Sequence, residues 1–269
     1  RMAKVVPAWC PVGFLESRFC GAGLRGRGEI RAGIHDSSAN FLRYAGSEAG
    51  RFALLSTGTW IIGFDAGADP GRLDPARDTA CGVTTSGEPV PICRFKGGEE
   101  YALLAGDAGA PQIEDAAALV SRGTMALPNF TASGGPLPGP EGRIDGTVAT
   151  GERAALAALY CAQMSVSATQ AMSGTVPQRV IVDGPFGQNP VFLGLLAGLL
   201  PDSAVLASTL REGTATGAAL LGLAAPDTGA LPDLPMSLVP VSPPRIDGLA
   251  AYHAAWRRMA EARARTRSD

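Results

Sequence analysis

The chain has 269 residues, 46% of them apolar, and a formal net charge of -2, which is enough apolar material for a buried core in one large domain or two smaller ones. That charge, with no run of Lys and Arg before the tail from Arg257 to Arg267, leaves no electrostatic footprint for nucleic acid, and the tail reads as the solvated face of a terminal helix. No apolar run reaches the roughly 20 residues that cross a bilayer, since the longest candidates, Val191 to Leu200 and Ala215 to Ala225, are short and broken by glycine.

The five cysteines, Cys10, Cys20, Cys81, Cys93 and Cys161, are odd in number and scattered, and no two stand at C-x-x-C spacing. With only His35 and His253 beside them, a His/Cys metal centre is not expected, and serine or cysteine hydrolase machinery would have to rest on one of those two histidines. The first residues lack the apolar stretch of a signal peptide, so a cytoplasmic location is expected.

Residues 1 to about 32 carry several glycines and arginines without periodicity, and read as a connecting stretch with one short helix near Phe14 to Ala22. A chain that opens on Arg and runs through connector before its first clear strand reads as the end of something, with an upstream region expected before it. Strands are predicted at Phe52 to Leu55, Trp60 to Asp65, Gly82 to Thr85 and Val90 to Phe95. Helices follow at Glu99 to Ala105 and Ile113 to Ser121, then a Gly- and Pro-rich loop from Thr131 to Gly142, then a long helix from Gly151 to Ser173. Arg179 to Asp183 is a short apolar strand closed by Gly184-Pro185, after which Asn189 and Pro190 open a helix to Leu200. A strand at Ala204 to Ala207 and a helix from Thr214 to Leu223 repeat the alternation, which predicts an α/β layer with a partly parallel sheet. Pro226 to Pro244 reads as an extended connector, and Leu249, Tyr252, Trp256 and Met259 share one face of a closing helix.

Two segments carry candidate chemistry. Gly33-Ile34-His35-Asp36 brings a carboxylate to the start of a small-residue run, and Ser56-Thr57-Gly58-Thr59-Trp60 places hydroxyls and a glycine at a hairpin tip that can cradle phosphate oxygens. A carboxylate base and a phosphate loop are parts of a phosphoryl-transfer site. Taken singly, each has a plainer explanation: Asp36 as the N-cap of a helix from Ser37, the hairpin as an ordinary turn, Gly97-Gly98 as the start of a helix, and Asp183 through Asn189 as a βα loop.

In order and rough spacing, Gly33 to Asp36, Ser56 to Trp60, Arg94-Phe95-Lys96-Gly97-Gly98-Glu99-Glu100-Tyr101, Asp183-Gly184 through Asn189, Glu212 through Ala219 and the Tyr252/Trp256 helix resemble the C-terminal half of the FGGY-family carbohydrate kinases. The resemblance implies an α/β, actin-like (ribonuclease H-like) ATPase domain with a mixed sheet flanked by helices. Residues 1–45 would end an N-terminal sugar-binding domain and connect it to a nucleotide-binding domain at 46–269. It implies ATP and Mg2+ as cofactors, a ketose or related sugar or polyol as acceptor, and Asp36 as the base that deprotonates its hydroxyl. Thr57, Gly58 and Thr59 of the hairpin, Gly98, Gly184 and Asn189 would meet the nucleotide, Asn189 at the adenine, and His35 would lie near the sugar. No membrane and no nucleic acid partner are expected, no metal-binding residue is assigned within these residues, and homodimerisation is left open. The family's run of glycines after the strand is here Gly184-Pro185-Phe186, which bears on close approach to the nucleotide. The other reading is therefore a non-catalytic nucleotide- or partner-binding module of the same superfamily.

Overall fold

The computed structural model describes residues 6–19, 28–46, 50–131, 134–232 and 236–265. Cys20, the end of the helix expected near Phe14 to Ala22, and Thr266 and Arg267 at the end of the basic tail lie outside them. The chain divides into two compact units, one of residues 1–48, 83–89 and 212–236, the other of 49–82, 90–211 and 237–269.

In the first unit, β1 (Pro11–Phe14) pairs antiparallel with β2 (Glu29–Arg31), with the register shifting between Pro11 and Gly13. The connecting stretch expected there is thus partly a strand pair, and at Ser17–Phe19 only a single 3-10 turn forms. Neither strand buries a face, so the alternating pattern that marks a half-buried strand is missing. Helix α1 (Asp36–Ala45) packs on α6 (Gly213–Leu223). The contact is close because a Cβ at Gly217 would overlap the backbone carbonyl of Ala39, a position only glycine tolerates.

The second unit is built on seven strands, adding β3 (Phe52–Thr57), β4 (Ile61–Ala66), β5 (Thr79–Val83), β6 (Pro89–Phe95), β9 (Arg179–Asp183), β10 (Ala204–Ser208) and β11 (Leu238–Pro240), in the order β11-β10-β9-β3-β4-β6-β5. The β10/β9 and β9/β3 pairs are parallel; β3/β4, β4/β6 and β10/β11 are antiparallel. Every residue of β3 is buried, as a central strand covered on both faces requires. A short pair, β7 (Met125–Leu127) with β8 (Arg143–Asp145), lies apart from the large sheet.

Beyond shifts of one to three residues at element ends, three features differ from the sequence reading. The strand expected at Gly82 to Thr85 ends at Val83, because Thr84 begins a turn in which its hydroxyl accepts from Glu88 N at 3.0 Å. Part of the expected connector is β11, an edge strand, where Pro240 leaves no central ladder bond unmade. The third is the pair β7/β8, each three residues long and without a strand signature.

Helices α2 (Gly97–Ala105), α3 (Ile113–Arg122), α5 (Pro190–Leu199) and α7 (Leu249–Arg265) accompany α4 (Arg153–Ser173), which packs against α2, α3, α5 and β4. The stripe expected on α4 is instead burial on all sides, the mark of a helix with no solvent face. Ser167 and Thr169 remain inside by bonding back to the carbonyls of Gln163 and Ser165, at 3.0 and 2.9 Å. Tyr252 and Trp256 are buried and tie α7 to the carbonyls of Thr124 and Ala126, each at 2.7 Å.

Candidate nucleotide site

The carboxyl ends of the parallel strands β3 and β9 lie side by side, with Ser56 opposite Asp183. Thr57, the last residue of β3, donates its hydroxyl to the Asp183 carbonyl at 2.6 Å and accepts from Phe186 N at 3.1 Å. Its oxygen is therefore spent on the loop after β9. Gly184, at φ +93°, follows, and a Cβ there would overlap the Thr57 carbonyl, so this crossing of two backbones needs glycine.

The tip of the β3/β4 hairpin meets the first turn of α2 in the same manner. Gly58 N donates to Trp60 O at 2.8 Å, while Thr59 O accepts from Gly98 N at 3.1 Å and Glu99 N at 3.4 Å, so a hairpin carbonyl satisfies two of the helix's orphan donors. A Cβ on Gly98 would run into Gly58 O. Thr59 is exposed, and its hydroxyl makes no bond within the protein.

Between these junctions opens a cavity of about 560 Å³ lined by Gly58, Thr59, Gly98, Glu99, Tyr101, Pro185, Phe186 and Asn189, within the range of small-ligand sites. One end is backbone and hydroxyl. The other is aromatic: the Tyr101 ring meets Phe186 edge-on at 5.5 Å, and Phe186 meets Phe192 at 4.8 Å. Asn189 caps α5, its Oδ1 accepting from Phe192 N at 3.0 Å, so its amide N–H groups are the part left to face the cavity. Burial pushes the Tyr101 phenol above its ordinary pKa.

Beneath the site, Glu100 is 1% exposed and accepts from Phe130 N and Thr131 N, both at 3.1 Å, from the Thr131 hydroxyl at 2.9 Å and from the Tyr160 hydroxyl. The carboxylate raises the Tyr160 phenol further, although burial is the larger cause. Glu100 thus anchors α2 to α4 and to the segment after β7.

Of the residues singled out from sequence, Gly58, Thr59, Gly98 and Asn189 line one cavity, whereas Thr57 and Gly184 form the junction behind it. His35 and Asp36 belong to the first unit. His35 caps α1 and Asp36 is its first residue, with side chains 70% and 73% exposed. Asp36 Oδ1 accepts from Ser37 N at 2.6 Å and lies 2.8 Å from His35 Nδ1. That approach needs the proton on Nδ1, and Ser37 N is then served by Asp36 alone. The helix thus starts one residue before the expected Ser37, with His35 at the N-cap position, while the Asp36 carboxylate serves Ser37 N. Sequence reasoning missed Glu99, Tyr101 and the aromatic wall; the spacing of Gly98 and Tyr101, three apart on one helix face, carried the signal for Tyr101.

Glu99 is the one carboxylate in the lining, and no group of three His, Cys, Asp or Glu side chains able to hold a metal occurs among the described residues. Mg2+ takes most of its ligands from phosphate and water, so this donor set fits an ion carried in on phosphates. No helix among the described residues is long and apolar enough to cross a membrane.

A mixed sheet with a small-molecule cavity at the carboxyl ends of its parallel strands is the layout in which open α/β proteins bind ligands. The family described as carbohydrate kinase FGGY, C-terminal domain, matches residues 49–231, and the chain belongs to that family. A carbohydrate kinase from Novosphingobium aromaticivorans is 31% identical, with a TM-score of 0.75 over 95% of this chain and 58% of that one. Xylulose kinase from Rhodospirillum rubrum (20% identity, TM-score 0.64, 96% of this chain, 55% of that one) and gluconate kinase from Lactobacillus acidophilus (13%, 0.71, 98% and 56%) share the fold. The chain thus spans little more than half the length of these structures, and its fold is the actin-like ATPase fold. No curated protein matches it.

Proposed function

We propose that the chain is the nucleotide-binding half of an ATP-dependent sugar kinase. The observation that carries this is the cavity itself: glycine-closed backbone and a free hydroxyl at one end, an aromatic wall and an asparagine amide at the other. Gly58, Thr59 and Gly98 are suited to the phosphates of Mg-ATP and Asn189 to the base, while Thr57 and Gly184 hold the loop in shape. Residues 1–45 would be the end of the sugar-binding domain and the connector, and 46–269 the nucleotide-binding domain. Asp36 would take the proton of a ketose or polyol hydroxyl, with His35 beside it at the sugar, and the γ-phosphoryl group would pass in line to the alcohol oxygen.

The test is ADP release by the full-length gene product with Mg-ATP across ketoses, aldoses and polyols. Sugar-dependent turnover is expected, and Asp36→Asn should lower it roughly 10²- to 10⁴-fold while leaving ATP affinity in place. Near-normal turnover in that variant would remove Asp36 from the role of base. One observation favours a second reading, a non-catalytic nucleotide- or partner-binding module: Pro185 has no N–H and the Phe186 N–H is taken by Thr57, so the loop after β9 offers a ligand neither donor. ATP binding without turnover on any sugar would select it.

A further inference from the structure

We propose that Glu99 accepts hydrogen bonds from the ribose hydroxyls of the nucleotide and makes this site select ribonucleotides over deoxyribonucleotides. The inference rests on the nucleotide reading above and deepens it. Along α2 the cavity has a fixed polarity: Gly98 touches the Gly58 and Thr59 tip, and Tyr101 touches Phe186 and lines the cavity together with Asn189. Glu99 stands between them and lines the same space. A carboxylate repels phosphate, and the base end of the cavity lies further along the helix at Tyr101, Phe186 and Asn189, so in a nucleotide laid from hairpin to aromatic wall the partner beside Glu99 is the neutral diol in the middle.

The carboxylate is also prepared for that task. Lys96 Nζ lies 3.0 Å from Glu99 Oε2 and 5.7 Å from the centre of the Trp60 ring. One oxygen is thereby held by a cation that rests on an aromatic face. The other, Oε1, makes no bond within the protein and can accept from a hydroxyl.

The experiment is calorimetric titration of the 269-residue chain with ATP, 2′-deoxy-ATP and 3′-deoxy-ATP, for the wild type, Glu99→Gln and Glu99→Ala. A hydrogen bond to a charged acceptor corresponds to roughly 10- to 100-fold in affinity. The wild type is expected to prefer ATP over at least one deoxy analogue by that factor. Glu99→Ala should erase the preference by weakening ATP alone, and Glu99→Gln should retain part of it. Equal affinities for all three nucleotides in the wild type, or an equal loss for all three in Glu99→Ala, would overturn the assignment while leaving the nucleotide reading intact. Loss of Mg2+ dependence in Glu99→Ala would also overturn it, by giving Glu99 to the metal. No binding of any nucleotide would overturn both.

Discussion

Gly98 lacks a side chain because the place a Cβ would occupy already holds the Gly58 carbonyl, a backbone atom that cannot swing aside. Thr57 and Gly184 show the same economy at the second junction, where one hydroxyl satisfies a carbonyl and an amide of the facing loop. Gly98→Ala should therefore push the hairpin tip off α2 and cost about 1–3 kcal/mol, or roughly 2–10 °C in melting temperature for a chain of this size. Nucleotide affinity should fall with it. Thermal melts and titrations of Gly98→Ala check this, and a variant that melts and binds like the wild type would show that the cavity does not depend on the approach. At this scale the sequence was half legible. The glycines and Asn189 could be found because strained or capping positions restrict residue choice, whereas Glu100 could not, since a carboxylate buried beneath four donors looks in sequence like any other helix glutamate.

Helix α5 depends on Asn189 for its start, which gives that residue a second duty beside the one proposed at the base. The two can be separated by chemistry. Asn189→Asp keeps an oxygen acceptor for Phe192 N, so the cap should survive while the amide donors are lost; Asn189→Ala should lose both, with a capping cost of about 1 kcal/mol. Unchanged stability with weakened nucleotide binding is expected for Asp, and a loss of both for Ala. If Asp binds nucleotide as the wild type does, the amide is not a base contact. The same contrast explains which elements could be read from sequence. Long apolar segments such as α4 and β9 announce themselves through composition, and their ends through Gly174 and Gly184. The three-residue strands β7, β8 and β11 exist because tertiary neighbours supply their partners, so nothing in their own residues marks them.

For the molecule as a whole, the acid side of the stability curve should carry the signature of one histidine. His253 stacks on Trp256 at 5.9 Å, its Nδ1 has no hydrogen-bond partner, and burial, with Arg257 adding repulsion, lowers its pKa from 6.5 to about 4. Because the folded state resists the proton that the unfolded chain accepts, stability is fully present above 6.5 and declines as the pH falls toward about 4. His253→Gln should flatten the melting temperature against pH across that window. The idea fails if wild type and variant lose stability in parallel.

The parallel pairing at the centre of the sheet also has a consequence for synthesis. Thr57 and Asp183, bonded at the ends of β3 and β9, are 126 residues apart, and a ribosome adding about 5–20 residues per second needs roughly 6–25 s to cover that distance. During this interval β3 can pair with β4, yet its other edge, apolar from Phe52 to Leu55, has no partner. An unpaired apolar edge invites intermolecular pairing. The nascent chain therefore passes through a period of exposure to aggregation, which ends only when β9 emerges and docks.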